Sequence, residues 1–384
     1  MASKLNTQDV STILSRLPGV GNEEFTEKER DYILKLAHSK NIRPKEAHDK
    51  STGADMLEGV DIPRFVGRYD IREYQLPQEQ PKYNVDDEAI QCKLSDIYEQ
   101  DRDGLLEDGH DMVIASSTDL CLDPSAELLN KPVVEGERIV LFLNGGGFIM
   151  SDTAALKWFY LRISKELGQR VFVPRYNIAP KHVFPRALHD VYTAYSHLIV
   201  QGFKPENINL MGTSSGGQLA VALMLLLDMH KRQMVSSCLL LSPMLDLTMT
   251  QDSWERNQEI CVLPHYPISD PKCLSRIYYG PTSASVEELD KQFRHPLISP
   301  LFCDPTRLPP MQIQVGEDDV LVDDSKEFAL KVNKAHSQNN RQPYAELITY
   351  PGRNHFSIAR GKSLLDKLYG NMRRFIDGVH NDCC

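Results

Sequence analysis

From about residue 111 the chain alternates short apolar runs with longer stretches of helical periodicity, and no other feature limits its fold as much. The runs are VLFL at 140–143, VFVP at 171–174, and further apolar segments at 208–211, 238–241, 311–315 and 346–350. Each is too short for a helix and too apolar for a surface loop, which is the pattern of strands buried on both faces. Helical patterns lie between or after them, near 156–167 and from Pro185 onward. Strand and helix repeated in this way predict right-handed βαβ units and a mostly parallel, twisted sheet flanked by helices, an α/β fold. In the helix opening at Pro185, Leu188, Val191, Tyr192, Tyr195, Leu198 and Ile199 recur at helical spacing, so one face is expected to pack on the sheet.

Two stretches stand outside the alternation. Residues 1–95 are polar and mixed in charge, with Phe25, Tyr32, Ile33, Leu34 and Leu36 hinting at a helix, and read as an N-terminal extension to a larger domain at 96–384. Residues 248–299 are charged, broken by proline and too long for a simple connection, and are expected to form an insertion over the sheet's edge.

Gly212-Thr213-Ser214-Ser215-Gly216 follows the strand INLM and precedes an apolar helix beginning near Gln218. Glycine and serine are common, so the pattern alone could be a plain turn. Between a buried strand and a buried helix it fits a nucleophile elbow, in which small residues at 212 and 216 permit a turn sharp enough to project Ser214 Oγ from the sheet. The helix start also places backbone N–H groups and a positive dipole end beside that serine.

A serine hydroxyl at neutral pH needs a base within hydrogen-bond reach, itself oriented by an acid. On a sheet with such an elbow the acid follows the serine and the histidine follows the acid. Only His336, His355 and His380 lie beyond the last strong acidic cluster. His336 sits in a helical stretch and His380 in a polar tail, whereas His355 comes just after ELITY, in a loop at the carboxyl end of a strand. Ligand-facing groups of open α/β sheets gather there. The acid must come from VGEDDVLVDD at 315–324, where four aspartates compete. Asp319 stands a few residues past the strand MQIQV and is the first choice, with Asp323 second; Asp323 and Asp324 adjoin Ser325 and suit a helix start.

A tetrahedral oxyanion also needs N–H donors. Asn144-Gly145-Gly146-Gly147 follows VLFL directly, and its glycines let the main chain approach a reacting carbonyl without Cβ obstruction. The N–H of Ser215, after the nucleophile, is a further donor.

Taken in order, these blocks resemble the hormone-sensitive lipase family of α/β-hydrolases, which includes carboxylesterases and arylacetamide deacetylase-like enzymes. The resemblance runs over roughly residues 110–378, through NGGGF at 144–148, YNIAPKHVFPRALHDVY at 176–192, GTSSGG at 212–217, SPMLDLT at 242–248, ISPLF at 298–302, GEDDVL at 316–321 and GRNH at 352–355. It implies an α/β-hydrolase fold, a triad of Ser214, Asp319 and His355, and oxyanion donors at Gly145, Gly146 and Ser215. It further implies that no cofactor or metal takes part and that residues 1–95 and 248–299 form a helical cap. The implied reaction is hydrolysis of small-molecule carboxylic esters, with short to medium acyl chains expected. The same triad would serve a biosynthetic acyltransferase or lactone-forming enzyme. Ligand-binding receptors on this fold lack the catalytic histidine, from which His355 separates this chain. The family usually has histidine in place of Asn144, aspartate in place of Thr213 and alanine in place of Ser215; none of these departures removes a backbone donor or a triad member.

With 53 acidic against 43 basic side chains the formal charge is −10, which repels nucleic-acid phosphates and anionic membrane surfaces. The longest apolar run, at 219–227, stops at Asp228 and is far shorter than the about 20 residues a bilayer demands, so stable membrane insertion is not expected. The first twenty residues hold no signal-peptide core, the eight cysteines show no zinc-ligand spacing, and there is no N-x-[ST] acceptor. A reduced, cytoplasmic location is expected, with Cys383 and Cys384 outside any C-a-a-X box, and a homodimer is compatible with the sequence.

Overall fold

The run IVLFL forms strand β2 (Ile139–Leu143), and all five of its residues are buried. Its side chains serve two cores by simple alternation: Ile139, Leu141 and Leu143 point into one apolar cluster, Val140 and Phe142 into the other. The structure, a computed structural model, describes residues 113–115, 132–149, 157–174, 176–179, 182–261, 263, 265–280, 282, 284–337, 344–355, 358 and 362–381. The 1–95 extension and Cys383–Cys384 lie outside the described residues.

The other expected runs also become strands: β3 (Arg170–Val173), β4 (Ile208–Thr213), β5 (Ser237–Leu241), β6 (Met311–Gly316) and β7 (Ala345–Tyr350). They pair in parallel in the order β3-β2-β4-β5-β6-β7. A short strand not expected from the alternation, β1 (Val113–Ala115), closes the β3 edge in antiparallel fashion.

Helices α1 (Lys157–Leu167), α2 (Arg186–Val200) and α3 (Ser215–Met229) alternate with these strands. After the insertion come α7 (Val322–His336) and α8 (Lys362–Asn381). In α2 the expected stripe packs inward, with Leu188, Val191, Tyr192, Tyr195 and Leu198 buried and Ile199 partly so. Leu365, Leu368, Tyr369, Met372 and Ile376 of α8 repeat at the spacing of one helix face and cover the opposite side of the sheet with Phe159, Tyr160 and Ile163 of α1. Each such large apolar side chain contributes about 1.5–3 kcal/mol on full burial. His380, expected in a polar tail, lies instead in the last turn of α8.

The 248–299 segment carries α4 (Asp252–Arg256), α5 (Leu274–Tyr279) and α6 (Val286–Phe293). Trp254, Cys273, Leu274, Ile277, Tyr278, Leu289 and Phe293 bury themselves in the core that holds Leu141 and Leu143. Among the described residues no helix is long and apolar enough to cross a membrane.

Candidate active site

Where β4 ends, Ser214 takes φ 52° and ψ −123° before α3 starts at Ser215. A non-glycine residue so placed costs of order 1–3 kcal/mol and persists only when its surroundings fix it. Ser214 N donates to Leu241 O at 3.0 Å, and Ser214 O accepts from Gly217 N at 2.9 Å and Met244 N at 3.0 Å. A Cβ on Gly212 would lie 2.4 Å from Gly216 O, and one on Gly216 would lie 2.1 Å from Leu143 O. Side chains are therefore excluded at both positions, which is why the motif keeps glycine there. Because the Ser214 carbonyl begins the helical bonding, α3 starts at Ser215 instead of near Gln218, which puts the Ser215 N–H in the first turn.

His355 Nε2 stands 3.0 Å from Ser214 Oγ, and His355 Nδ1 stands 3.0 Å from Asp319 Oδ2. Asp319 is fully buried, and its Oδ1 accepts the Leu321 N–H at 3.0 Å, which leaves Oδ2 for the imidazole. Strand β5 separates β4 from β6, so the acid's loop must reach back across about 10 Å of sheet. Two ladder-like bonds tie it to the histidine's loop: Glu317 N donates to Tyr350 O at 3.0 Å and Asp318 N to Arg353 O at 2.9 Å. Gly316 allows this approach, since a Cβ there would fall 2.0 Å from Arg353 O.

The competing residues go elsewhere. Asp323 pairs with Arg256 at 2.8 Å and Lys326 at 3.5 Å, away from the imidazole. Asp324 is buried and accepts the amides of Leu245 and Asp246 at 3.0 and 2.9 Å. Burial, and after it the neighbouring Asp246 carboxylate, raises its pKa well above the usual carboxylate range. His336 Nε2 lies 2.9 Å from Pro305 O, and the ring stacks on Tyr344.

The glycine loop after β2 requires one correction. Gly145 N–H, expected as an oxyanion donor, instead donates to Thr213 Oγ1 at 2.9 Å and is committed to holding the loop against the elbow. The following turn places Gly146 at φ 134° and Gly147 at φ 59°, backbone that glycine adopts without strain. Asn144 is buried, its Oδ1 accepting from Tyr160 OH and its carbonyl from Tyr176 OH, the latter at 2.6 Å. Phe148 N donates to Ser215 Oγ at 3.4 Å. All three departures from the resembled family pattern, at 144, 213 and 215, thus take part in the bonding that holds the glycine loop. Above it, Leu274 stands against Gly147 and the Tyr278 ring stacks on Phe148 at 3.8 Å.

Sequence reasoning missed Tyr160 and Tyr176, and it read nothing into Asn257 or Cys261, which approach Asp319 from the insertion. Tyr176 opens the matched block at 176–192, which gave it no role, and no local pattern marks the other three, because each acts across a fold-level contact. Among the described residues no group of three or more His, Cys, Asp or Glu side chains is arranged to hold a metal. The arrangement can move a proton from Ser214 to His355 while Asp319 faces the imidazolium that results.

A family model described as alpha/beta hydrolase fold matches residues 140–357. An esterase of Acinetobacter venetianus is 31% identical over 215 residues, covering 53% of this chain and 64% of its own. The hormone-sensitive lipase of Mus musculus is 30% identical over 126 residues, 31% of this chain and 17% of its own. A solved structure of a mutant of the esterase E40 superposes with a TM-score of 0.53 at 26% identity, covering 62% of this chain and 77% of that one. The chain thus spans somewhat under two thirds of the Acinetobacter esterase and a smaller part of the mouse lipase.

Proposed function

Since the chain belongs to the α/β-hydrolase fold family, in its hormone-sensitive lipase type, we propose that it hydrolyses carboxylic esters through Ser214, His355 and Asp319. The observation that carries this reading is the unbroken hydrogen-bonded path from Ser214 Oγ through His355 to Asp319 Oδ2, both links 3.0 Å long. His355 Nε2 takes the Ser214 proton as Oγ attacks the ester carbonyl, and Asp319 holds the ring in the tautomer with hydrogen on Nδ1. The oxyanion is received by Gly146 N–H and Ser215 N–H, since Gly145 N–H is bonded to Thr213. His355 then passes its proton to the leaving alcohol, and water, deprotonated by the same nitrogen, releases the acid from Ser214.

The proposed substrates are dissolved esters with short to medium acyl chains. What supports this is the insertion, which brings Leu274 and Tyr278 down on the glycine loop and so narrows the space beside Ser214. The net charge of −10 disfavours anionic interfaces. A cytoplasmic setting without nucleic-acid or membrane partners accompanies this reading.

A fluorophosphonate should label the protein and fail to label Ser214→Ala. A p-nitrophenyl ester series from acetyl to palmitoyl should show kcat/KM rising to an optimum no longer than octanoyl and then falling, with emulsified triolein poor. Absence of label on folded protein would sink the triad; preference for triolein would sink the substrate class. Product analysis with an added alcohol acceptor separates hydrolysis from acyl transfer.

A further inference from the structure

One turn of the insertion, residues 252–261, touches the loops of both the acid and the base. Asn257 is buried and donates from Nδ2 to Glu317 O at 3.1 Å and to Asp319 O at 2.9 Å, gripping the turn between β6 and α7. Ser253 Oγ adds a bond to Val320 O at 2.6 Å. Cys261, whose amide donates to Asn257 O at 2.8 Å, brings its thiol to 3.9 Å from Asp319 Oδ1, the oxygen that does not face His355. Asn354, directly before His355, donates from Nδ2 to Ile260 O at 2.9 Å. The acid's main chain, its carboxylate and the base's loop are all held by this single turn.

We propose that Asn257 and Cys261 are positioning residues for the Ser214–His355–Asp319 array, Asn257 by fixing the main chain that carries Asp319 and Cys261 by setting the rotation of its carboxylate. This rests on the hydrolase reading above. Once Cβ of an aspartate is fixed, the carboxylate can still turn. Leu321 N–H and the Cys261 thiol both address Oδ1, so the orientation that satisfies them is the one that aims Oδ2 at His355 Nδ1. The thiol is a weak donor. Burial, and after it the Asp319 carboxylate, pushes it up to about 11, so it remains S–H and does not become a second anion. Small displacements matter here, because a shift of about 1 Å in a reacting group can lower a rate by about 10²-fold.

Asn257→Ala, Cys261→Ala and Cys261→Ser are compared with the wild type on p-nitrophenyl butyrate. Active centres are counted with a fluorophosphonate, and the imidazole Nδ1–H proton resonance of His355 is recorded. Asn257→Ala should lower kcat per active centre about 10- to 100-fold, with KM within about twofold, and move the Nδ1–H resonance. Cys261→Ala should lose about three- to tenfold in kcat, and Cys261→Ser, which keeps a donor at that place, should recover most of it. Variants that are merely less stable, with kcat per active centre and the resonance unchanged, overturn the proposal. Should Asn257→Ala not fold, the Cys261 pair decides: kcat equal to wild type in both overturns it. A wild type that neither turns over the ester nor takes the label removes the hydrolase reading and this inference together, whereas an active wild type with unaffected variants removes only the inference.

Discussion

The amide of Gly145 donates to the side chain of Thr213 at 2.9 Å, joining the glycine loop after β2 to the residue that precedes Ser214. The two lie on neighbouring strand ends, since β2 and β4 pair with Leu143 opposite Gly212. A hydroxyl at 213 therefore sets how far the loop stands from the nucleophile. Thr213→Val keeps the shape and removes the acceptor, leaving the part-buried Gly145 N–H without its partner. It should lower stability by about 1–3 kcal/mol and kcat by roughly tenfold with little change in KM. Thr213→Ser should behave as wild type. Thermal melts beside steady-state kinetics check this, and a valine variant with normal kcat would remove Thr213 from the account of the loop.

The two aspartates weighed for the acid should separate sharply. Asp319→Asn leaves a neutral group that favours the wrong imidazole tautomer, so kcat should fall by about 10³- to 10⁴-fold while the protein stays folded. Asp323 belongs to a partly exposed ion pair with Arg256, an arrangement worth about 0–1 kcal/mol, so Asp323→Asn should cost little in either stability or rate. The opposite ranking in kcat would show that the acid has been misplaced.

Glycine substitutions test the elbow's packing. Gly216→Ala would put a Cβ 2.1 Å from Leu143 O and 2.5 Å from Asn144 O, both main-chain atoms that cannot move without parting β2 from α3. A loss of about 3 kcal/mol or more is expected, with little soluble, labelled protein. Gly370→Ala is the control: Gly370 lies exposed within α8 with nothing within 4 Å of the added carbon. It should gain about 0.5–1 kcal/mol from helix propensity. Chemical denaturation of the pair measures both, and a well-folded Gly216→Ala would contradict the close approach.

Asp324 should make stability depend on pH. Its carboxyl is raised well above the ordinary carboxylate value, first by burial and then by the Asp246 carboxylate, and its Oδ1 has no hydrogen-bond partner among the described residues. The folded state thus holds a proton that the unfolded state releases above a pKa of about 3.9. Its stabilising contribution is fully present below that value and is lost as pH rises through the raised one. Asp324→Asn removes the titration. The Tm of the wild type relative to Asp324→Asn should therefore fall as the pH is raised from about 4 toward neutrality. A difference that stays constant across that interval would show that Asp324 titrates alike in both states.

The sequence by itself determined the layered α/β architecture and most of its strands, because apolar runs such as IVLFL and helical stripes such as that of α2 are short-range patterns any fold must satisfy locally. It also marked the turn at Ser214, since glycines on both sides of a serine between strand and helix are a local steric requirement. Choosing among the aspartates was a matter of spacing, which put Asp319 first and Asp323 second, and the family resemblance pointed to Asp319. Only the tertiary structure brings Asp319 to the imidazole, turns Asp323 outward to Arg256 and commits Gly145 to Thr213. Tyr160 and Tyr176 on Asn144, and Asn257 on the acid's loop, were illegible for the same reason. Ser214 and His355 are 141 positions apart, and their 3.0 Å contact depends on strand order and on how two loops are stitched together across β5. Hydrogen bonds between such distant residues leave no period in the chain, so they are settled only when the sheet has formed.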